Sequence, residues 1–131
     1  MKKTTANWLA SADYDVQTAE AMLRSKRYVY VVFMCHLALE KTVKGLWAEA
    51  KNDTPPRIHD LLYFVRGLDL TLAARDGDFV AAINRASVPT RYPEDLAKMV
   101  GLYPYRTARS YLSKTKRVIK WLRKDLRLAQ S

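Results

Sequence analysis

Three polar side chains at helical spacing interrupt the most apolar stretch of this chain. The segment from Tyr28 to Leu39 is apolar except for His36, and Glu40 and Lys44 follow at intervals of four residues. This spacing places all three side chains on one stripe of a helix. Because an unpaired buried charge is strongly destabilising, we expect this polar stripe to have partners in the chain, in a ligand or in a second subunit.

Asp13 is a candidate partner for the polar stripe. It lies one residue beyond Ala12, which belongs to the apolar face of the first predicted helix. One interpretation is a buried polar network of Asp13, His36 and Glu40. The other is an ordinary solvated carboxylate at the surface.

Arg91 is the second candidate functional residue, because it lies between Pro89 and Pro93. Residues that precede proline are pushed toward extended conformations, so we predict that Val88 and Tyr92 are extended and that the segment 87–95 does not begin as a helix. A rigid segment can aim a guanidinium at a carboxylate or a phosphate. An arginine on an ordinary surface loop is the alternative.

The sequence contains no motif for a metal site, a reactive thiol or a nucleotide-binding loop. The chain has one cysteine, Cys35, and two histidines, His36 and His59, which are too few for a cysteine-based zinc site or a histidine-rich metal site. It has no glycine-rich phosphate loop and no nucleophile elbow around a serine. We therefore expect no metal and no cofactor, a core position for Cys35 and a structural role for His59.

The composition indicates that helices position these groups. The chain has 131 residues, 49% of them hydrophobic, and only 4 Gly and 5 Pro, which predicts a single helical domain over residues 1–131. The first residues lack a signal-peptide pattern, and no window is apolar enough to span a membrane. We therefore expect a cytoplasmic protein.

Apolar periodicity predicts where the helices lie. The first helix covers about Thr5–Arg24, the second runs from Tyr28 to about Lys51, and a short third helix lies within 57–67. Residues 69–87 show only a weak helical face, broken by a loop at 75–78, and a last helix runs from about Pro104 to Ala129. The second helix is apolar nearly all round, so we place it in the middle of an all-α bundle, antiparallel to the first.

The last predicted helix is strongly basic. Its residues 104–129 contain nine basic residues and one acidic residue, and the whole chain has a formal net charge of +10. A helix face with one sign of charge is typical of contact with a nucleic acid backbone or an acidic partner chain, whereas a charge that only keeps the protein soluble is the alternative. The predicted basic face consists of Arg109, Lys116, Lys120, Arg123 and Arg127. The predicted buried stripe consists of Ala108, Leu112, Thr115, Ile119, Leu122 and Leu126.

In their order and spacing, several of these residues resemble the HEPN domain family over nearly the whole chain. The resemblance rests on Trp8 and Asp13, on Phe33-x-x-His36-x-Ala38-x-Glu40-Lys41-x-x-Lys44, on Ile58-His59-Asp60-Leu61 and on Arg91-Tyr92-Pro93. The family commonly has Gln at the position of His36. The resemblance implies an up-and-down antiparallel bundle of four to five helices that forms a homodimer.

The resemblance also implies two kinds of function. Many small prokaryotic members are encoded beside a minimal nucleotidyltransferase, and some of these pairs behave as toxin–antitoxin systems. Many other members are metal-independent RNases, in which an arginine followed after four to six residues by a histidine assists attack of the RNA 2′-hydroxyl on the adjacent phosphate. No arginine of this chain has a histidine at that spacing.

We therefore interpret the chain first as a non-catalytic HEPN binding module. In this interpretation Arg91, Lys41 and Lys44 bind the phosphate of a nucleotide or RNA, or the protein binds a nucleotidyltransferase partner. The alternative is an RNase with a divergent site, in which Arg91 stabilises charge and Tyr92 or His59 carries the proton. A third interpretation is a purely structural subunit of a complex.

Overall fold

The structure, a computed structural model, describes residues 1–129 as helices joined by short connections. No strand occurs in this part of the chain, and none of its helices is long and apolar enough to cross a lipid bilayer. The helices are α1 (Lys3–Arg24), α2 (Tyr28–Lys51), α3 (Leu61–Gly67), α4 (Ala74–Arg91), α5 (Leu96–Leu102), α6 (Tyr105–Leu122) and α7 (Leu126–Ala129).

The predicted all-α fold is confirmed, with α2 at its centre. Buried residues occur on all sides of α2, from Val29 to Ala48, because its sequence is apolar nearly all round. The helices α1, α4 and α6 pack around it, together with α3. The predicted third helix is present as α3, and the number of helices in residues 1–129 exceeds the predicted four to five because α5 and α7 are too short to show an apolar period.

Ion pairs define the direction in which α1 and α6 run. Asp13 lies 2.9 Å from Arg123, and Glu20 lies 3.3 Å from Lys116. The residue numbers increase along α1 as they decrease along α6, so these two helices are antiparallel.

The direction of α4 follows from two contacts with α6. Asp76 accepts hydrogen bonds from the Arg117 guanidinium, and the ring of Phe79 packs edge-on against Tyr111 with centroids 5.4 Å apart. The helix α4 is therefore antiparallel to α6, and the four long helices form the up-and-down bundle.

The helix α4 passes without a break through two segments that were predicted to be non-helical. Residues 75–78 belong to its first turns, and Val88 and Pro89 belong to its last turns, so the prediction of an extended Val88 is wrong. Thr90 is buried, and its hydroxyl donates to the carbonyl four residues earlier at 2.6 Å. This packing against the bundle outweighs the local preference of the residue before proline. Tyr92 lies just outside the helix.

The last helix ends earlier than predicted. The helix α6 stops at Leu122, and a turn at 123–125 separates it from α7. Asp125 stabilises this turn by accepting a hydrogen bond from the backbone N–H of Arg127 at 2.9 Å. The turn changes the helical phase, so Leu128 is buried and Leu126, which was predicted to be buried, is 77% exposed.

Three residues other than glycine have a positive φ within residues 1–129: Lys26 (64°), Asn52 (51°) and Asp69 (53°). Lys26 follows the end of α1, where its N–H and that of Arg27 donate to carbonyls in the last turn of the helix at 3.2 and 2.8 Å. This is a Schellman motif, in which the left-handed position is usually glycine and sometimes asparagine. Lysine is disfavoured there, because its Cβ crowds the backbone.

The helices α1 and α2 approach each other closely at Gly45. A Cβ atom at this position would lie 3.0 Å from Cβ of Trp8 and 3.3 Å from Cδ2 of Leu9. At Gly77 in α4, by contrast, a Cβ atom would meet nothing within 4 Å. Gly45 is therefore required by the crossing of α1 and α2.

Replacing Gly45 with valine is expected to lower the free energy of unfolding by about 1–3 kcal/mol, because the added atoms overpack the crossing. Urea unfolding followed by circular dichroism measures this change. The matched control is Gly77→Val, which should change the free energy of unfolding by less than about 0.5 kcal/mol. Equal losses in both variants would contradict a role for the close approach.

Candidate functional site

A buried ion pair lies on α2. Nζ of Lys44 is 2.9 Å from Oε2 of Glu40, and both side chains are less than one-tenth exposed. The same ammonium lies 5.8 Å from the ring centroids of Trp8 and of Phe64, so aromatic faces surround it. Two members of the predicted polar stripe are therefore partners of each other.

His59 is hydrogen-bonded to the other carboxylate oxygen of Glu40. Its Nδ1 lies 2.8 Å from Oε1 of Glu40. Because an ionised carboxylate only accepts hydrogen bonds, Nδ1 carries the hydrogen and Nε2 is left with its lone pair. The His59 side chain is 57% exposed, whereas that of Glu40 is 4% exposed. A buried carboxylate thus orients a solvent-exposed imidazole.

Asn84 of α4 holds the segment that carries His59. Its Oδ1 accepts a hydrogen bond from the N–H of Leu61 at 2.9 Å, and its Nδ2 donates to Oδ1 of Asp60 at 3.0 Å. Asp60 in turn caps α3 by accepting from the N–H of Leu62. Asn84 was not predicted from the sequence, where the available signal was an asparagine inside a helix, a position that is unfavourable for this residue without a partner.

His36 is buried beside this cluster without a hydrogen bond to either ring nitrogen from residues 1–129. Its Nδ1 lies 4.0 Å from Oε1 of Glu40. Burial lowers the pKa of His36 below its usual value of 6.5, and the charge of Glu40 opposes this shift, whereas the charge of Arg91 adds to it. His36 is therefore neutral at pH 7.

Arg91 packs against α2 from the end of α4. Its guanidinium carbon lies 5.0 Å from the ring centroid of Phe33, and within the described residues it forms no ion pair with a carboxylate. The neighbouring Tyr92 is 71% exposed. A guanidinium held by an aromatic face and not by a carboxylate keeps its donors for an anion.

Lys41 and Lys44 are not free to join Arg91 at a phosphate. Nζ of Lys41 lies 2.9 Å from Oδ2 of Asp15, and Lys44 is paired with Glu40. A ligand could take either ammonium only by leaving a buried carboxylate unpaired, which is costly. The predicted trio of phosphate ligands is therefore not assembled as three free charges.

Asp13 is not part of the buried network, which corrects the prediction. It is exposed and accepts hydrogen bonds from the Arg123 guanidinium at 2.9 and 3.0 Å. The buried carboxylate of α1 is Asp15, whose spacing from the buried Ala12 and Ala19 places it on the same face. Burial raises the pKa of Asp15 above its usual value of 3.8, and the ammonium of Lys41 opposes that shift.

The predicted basic face contains both paired and unpaired charges. Arg109 and Lys120 are exposed, and neither forms an ion pair within residues 1–129. Three other members pair with carboxylates of the chain, namely Lys116 with Glu20, Arg123 with Asp13 and Arg127 with Asp125.

An apolar surface lies beside Arg91. No residue of α5 is buried, although a seven-residue helix is too short to be stable alone in water. We use the name apolar patch for five side chains that line one cavity between the end of α4 and α5, which Glu94, Asp95 and Lys98 also line. The five side chains of the patch are Val88, Pro89, Tyr92, Met99 and Leu102.

Other reactive groups are few in the described part of the chain. No cluster of three or more potential metal ligands occurs within residues 1–129. Cys35 is fully buried, and burial raises the pKa of its thiol to about 12, so it stays protonated and unreactive. The groups of this part of the molecule that can act on a ligand are the guanidinium of Arg91 at the end of α4 and the imidazole of His59 in the segment before α3. The guanidinium of Arg91 can bind a phosphate through charge-assisted hydrogen bonds, and a protonated His59 can add another from Nε2.

Replacing Lys44 with methionine is expected to lower the free energy of unfolding by about 3 kcal/mol, because Glu40 loses its buried counter-charge. Urea unfolding of the purified variant measures the loss. The double variant Glu40→Leu/Lys44→Met removes both charges and should recover most of the stability. A double variant as unstable as the single one would show that packing, and not charge, is responsible.

Comparisons with known proteins agree with the resemblance seen in the sequence. The chain is similar to a crystal structure of TT1696 from Thermus thermophilus, with a TM-score of 0.80 and 19% identity over 94% of this chain and 98% of that one. It is also similar to the crystal structure of ST0689, an archaeal HEPN homologue, with a TM-score of 0.73 and 22% identity over 93% and 97%. No curated protein matches the chain. The model of the HEPN domain family matches residues 5–125. The chain therefore belongs to the HEPN family.

Proposed function

We propose that this HEPN protein is a dimeric binding module that holds a phosphate of a nucleotide or RNA between Arg91 and His59. The family consists of nucleotide- and RNA-related modules. The observation that carries the proposal is that the guanidinium of Arg91 packs on the ring of Phe33 and forms no ion pair within residues 1–129, while the buried carboxylate of Glu40 orients the exposed imidazole of His59. Lys41 and Lys44 are left out of the site, because each already has a carboxylate partner.

The buried ion pair supports this proposal electrostatically. Lys44 balances the charge of Glu40, so the carboxylate can accept a hydrogen bond from His59 without placing a net negative charge beneath the ligand. An incoming phosphate would then meet the guanidinium of Arg91 and the exposed edge of the imidazole. Charge-assisted hydrogen bonds of this kind are short and strong.

The apolar patch supports a second copy of the chain as the partner. HEPN domains commonly dimerise, and the patch includes Val88 and Tyr92, which are exposed and flank Arg91 in sequence. A dimer formed through this patch would cover α5 and bring two Arg91 sites near each other. The other candidate partner for the apolar patch is a nucleotidyltransferase in a toxin–antitoxin pair. This alternative holds if the chain is a monomer on its own.

One observation favours a second candidate function, a metal-independent RNase. The carboxylate of Glu40 orients His59 so that Nε2 has its lone pair available. In this reaction Nε2 accepts the proton of the RNA 2′-hydroxyl while the 2′-oxygen forms a bond to phosphorus. The bond from phosphorus to the 5′-oxygen breaks, and the products are a 2′,3′-cyclic phosphate and a 5′-hydroxyl after protonation of the leaving oxygen.

The first test of function uses a labelled single-stranded RNA with EDTA present, and it follows cleavage and retention by gel at two salt concentrations. The proposal predicts intact RNA whose binding weakens about tenfold or more in Arg91→Ala, since a hydrogen bond to a charged group contributes about 1.5–3 kcal/mol. The matched control is Arg85→Ala, an exposed arginine of the same helix, which should bind like the parent protein.

Two results would change this conclusion. Cleavage that is lost in His59→Asn would replace the binding module by the RNase. Equal binding by the parent protein and Arg91→Ala would contradict the proposed site in either form.

Dimer formation has its own test, in which a charge is placed in the apolar patch. We expect the parent protein to be a dimer in light scattering, and Val88→Glu/Leu102→Glu to be a monomer, because a buried interface does not tolerate unpaired charges. The control Leu126→Glu changes a leucine that is 77% exposed outside the patch and should remain dimeric. A monomeric parent protein would contradict the homodimer and direct attention to a partner protein.

A further inference from the structure

We propose that the chain has a second anion-binding surface that follows the backbone of a nucleic acid strand. We call it the basic strip, and it consists of Arg24, Lys26, Arg27, Arg106, Arg109 and Lys120. It deepens the proposed function, because it makes the ligand a polynucleotide and not a single nucleotide. The strip lies on different helices and turns from the proposed phosphate site of Arg91 and His59, so the two sites can be tested separately.

The fold brings together two basic segments that are about 80 residues apart in the sequence. The ion pairs Asp13–Arg123 and Glu20–Lys116 set the antiparallel register of α1 and α6. Continuing this register places the end of α1 beside the first turns of α6. The contact between the rings of Tyr28 and Tyr105, with centroids 5.9 Å apart, places the start of α2 there as well. The basic turn 24–27 therefore adjoins Arg106 and Arg109.

All six residues of the basic strip are exposed, and none forms an ion pair within residues 1–129. The nearest carboxylates on α1 are already used, because Glu20 pairs with Lys116 and Asp13 pairs with Arg123. The positive charge of the strip is thus not neutralised by the described chain. Such a field attracts polyanions from solution.

The length of the strip fits a strand better than a mononucleotide. The 18 residues of α6 extend over roughly 27 Å. Phosphates in one strand of a duplex are about 3.4 Å apart along its axis, so a helix of this length passes several of them. A single nucleotide would contact only one end.

The side chains around the strip favour a nucleic acid over an acidic protein. Protein interfaces need an apolar core, but the exposed aliphatic residues of this end of the molecule lie on α4 and α5, at Val88, Leu96, Val100 and Leu102. The exposed apolar side chains near the strip are aromatic, namely Tyr30 (54% exposed), Tyr105 (48%) and Trp121 (40%). A tyrosine among arginines can stack on a base while the guanidinium groups contact phosphates.

Lys26 gives independent support for the basic strip, because a lysine occupies a backbone position that disfavours it. Its φ is 64° at the left-handed position of the Schellman motif, and glycine would fit that position without strain. The two other residues with positive φ are Asn52 and Asp69, which tolerate it better. A role in binding accounts for a charged side chain at the tip of this turn.

The test measures fluorescence anisotropy of a labelled 20-nucleotide polyuridine RNA between about 50 and 200 mM salt. We expect Arg109→Ala/Lys120→Ala to bind about tenfold more weakly at low salt, and its slope of log affinity against log salt to fall by about 1.4, since each lost phosphate contact on a single strand removes about 0.7. The matched control Lys51→Ala/Arg66→Ala removes two exposed charges elsewhere and should bind like the parent protein. Equal binding by both double variants would overturn the proposal.

A labelled uridine dinucleotide separates this proposal from the proposed function. Its binding should depend on Arg91 and not on the basic strip. If Arg91→Ala has no effect on the dinucleotide but Arg109→Ala/Lys120→Ala weakens the 20-nucleotide RNA, the proposed site fails while the strip remains. If polyglutamate at the same charge concentration displaces the RNA equally well, the strip accepts any acidic chain and the nucleic acid assignment is overturned.

The variant Lys26→Gly distinguishes a role of Lys26 in RNA binding from a purely structural role, because stability and binding should change in opposite directions. This substitution should raise the thermal midpoint, because it relieves the strained backbone, and it should weaken binding of the 20-nucleotide RNA. A variant that is more stable and binds RNA like the parent protein would remove Lys26 from the strip.

Discussion

The buried carboxylate of Glu40 sets a condition that much of this fold satisfies. A charge removed from water needs an opposite charge and hydrogen bonds to remain tolerable. Lys44 supplies the charge from the next turn of α2, and His59 supplies a hydrogen bond from a distant loop. Asn84 holds that loop in place from α4. One acidic side chain therefore ties together the central helix, the connection to α3 and the helix that ends in Arg91.

The parts of this arrangement that depend on local periodicity could be predicted from the sequence. The bounds of α1 and α2 differ little from the predicted ones, and the stripe of His36, Glu40 and Lys44 is buried as its spacing suggested. The continuity of α4 could not be predicted, because Pro89 signals a break and only tertiary packing overrides that signal. The pairing of Asp13 with Arg123 depends on a register between segments 110 residues apart, which no local pattern records.

Predictions for the candidate site differ in the same way. Arg91 was found from its flanking prolines, yet it is held by the end of a helix and the ring of Phe33 and not by an extended segment. Asp15 could have been found, because its spacing from Ala12 and Ala19 marks a carboxylate on the buried face of α1. The roles of Lys41 and Lys44 could not have been predicted. A lysine at a given position in a helix looks the same in the sequence whether its ammonium pairs with a carboxylate or binds a ligand.

The close approach at Gly45 also bears on the order in which the protein folds. The helices α1 and α2 are neighbours in sequence, and contacts between such neighbours form with little loss of loop entropy. A helical hairpin closed at Gly45 can therefore form before α3 and α4 dock. In that early state Trp8 of α1 already lies against Lys44, and the burial of the ion pair is completed only when Phe64 and His59 arrive with the later segments. We therefore expect the crossing to govern how fast the chain folds, and the buried ion pair to govern how slowly it unfolds.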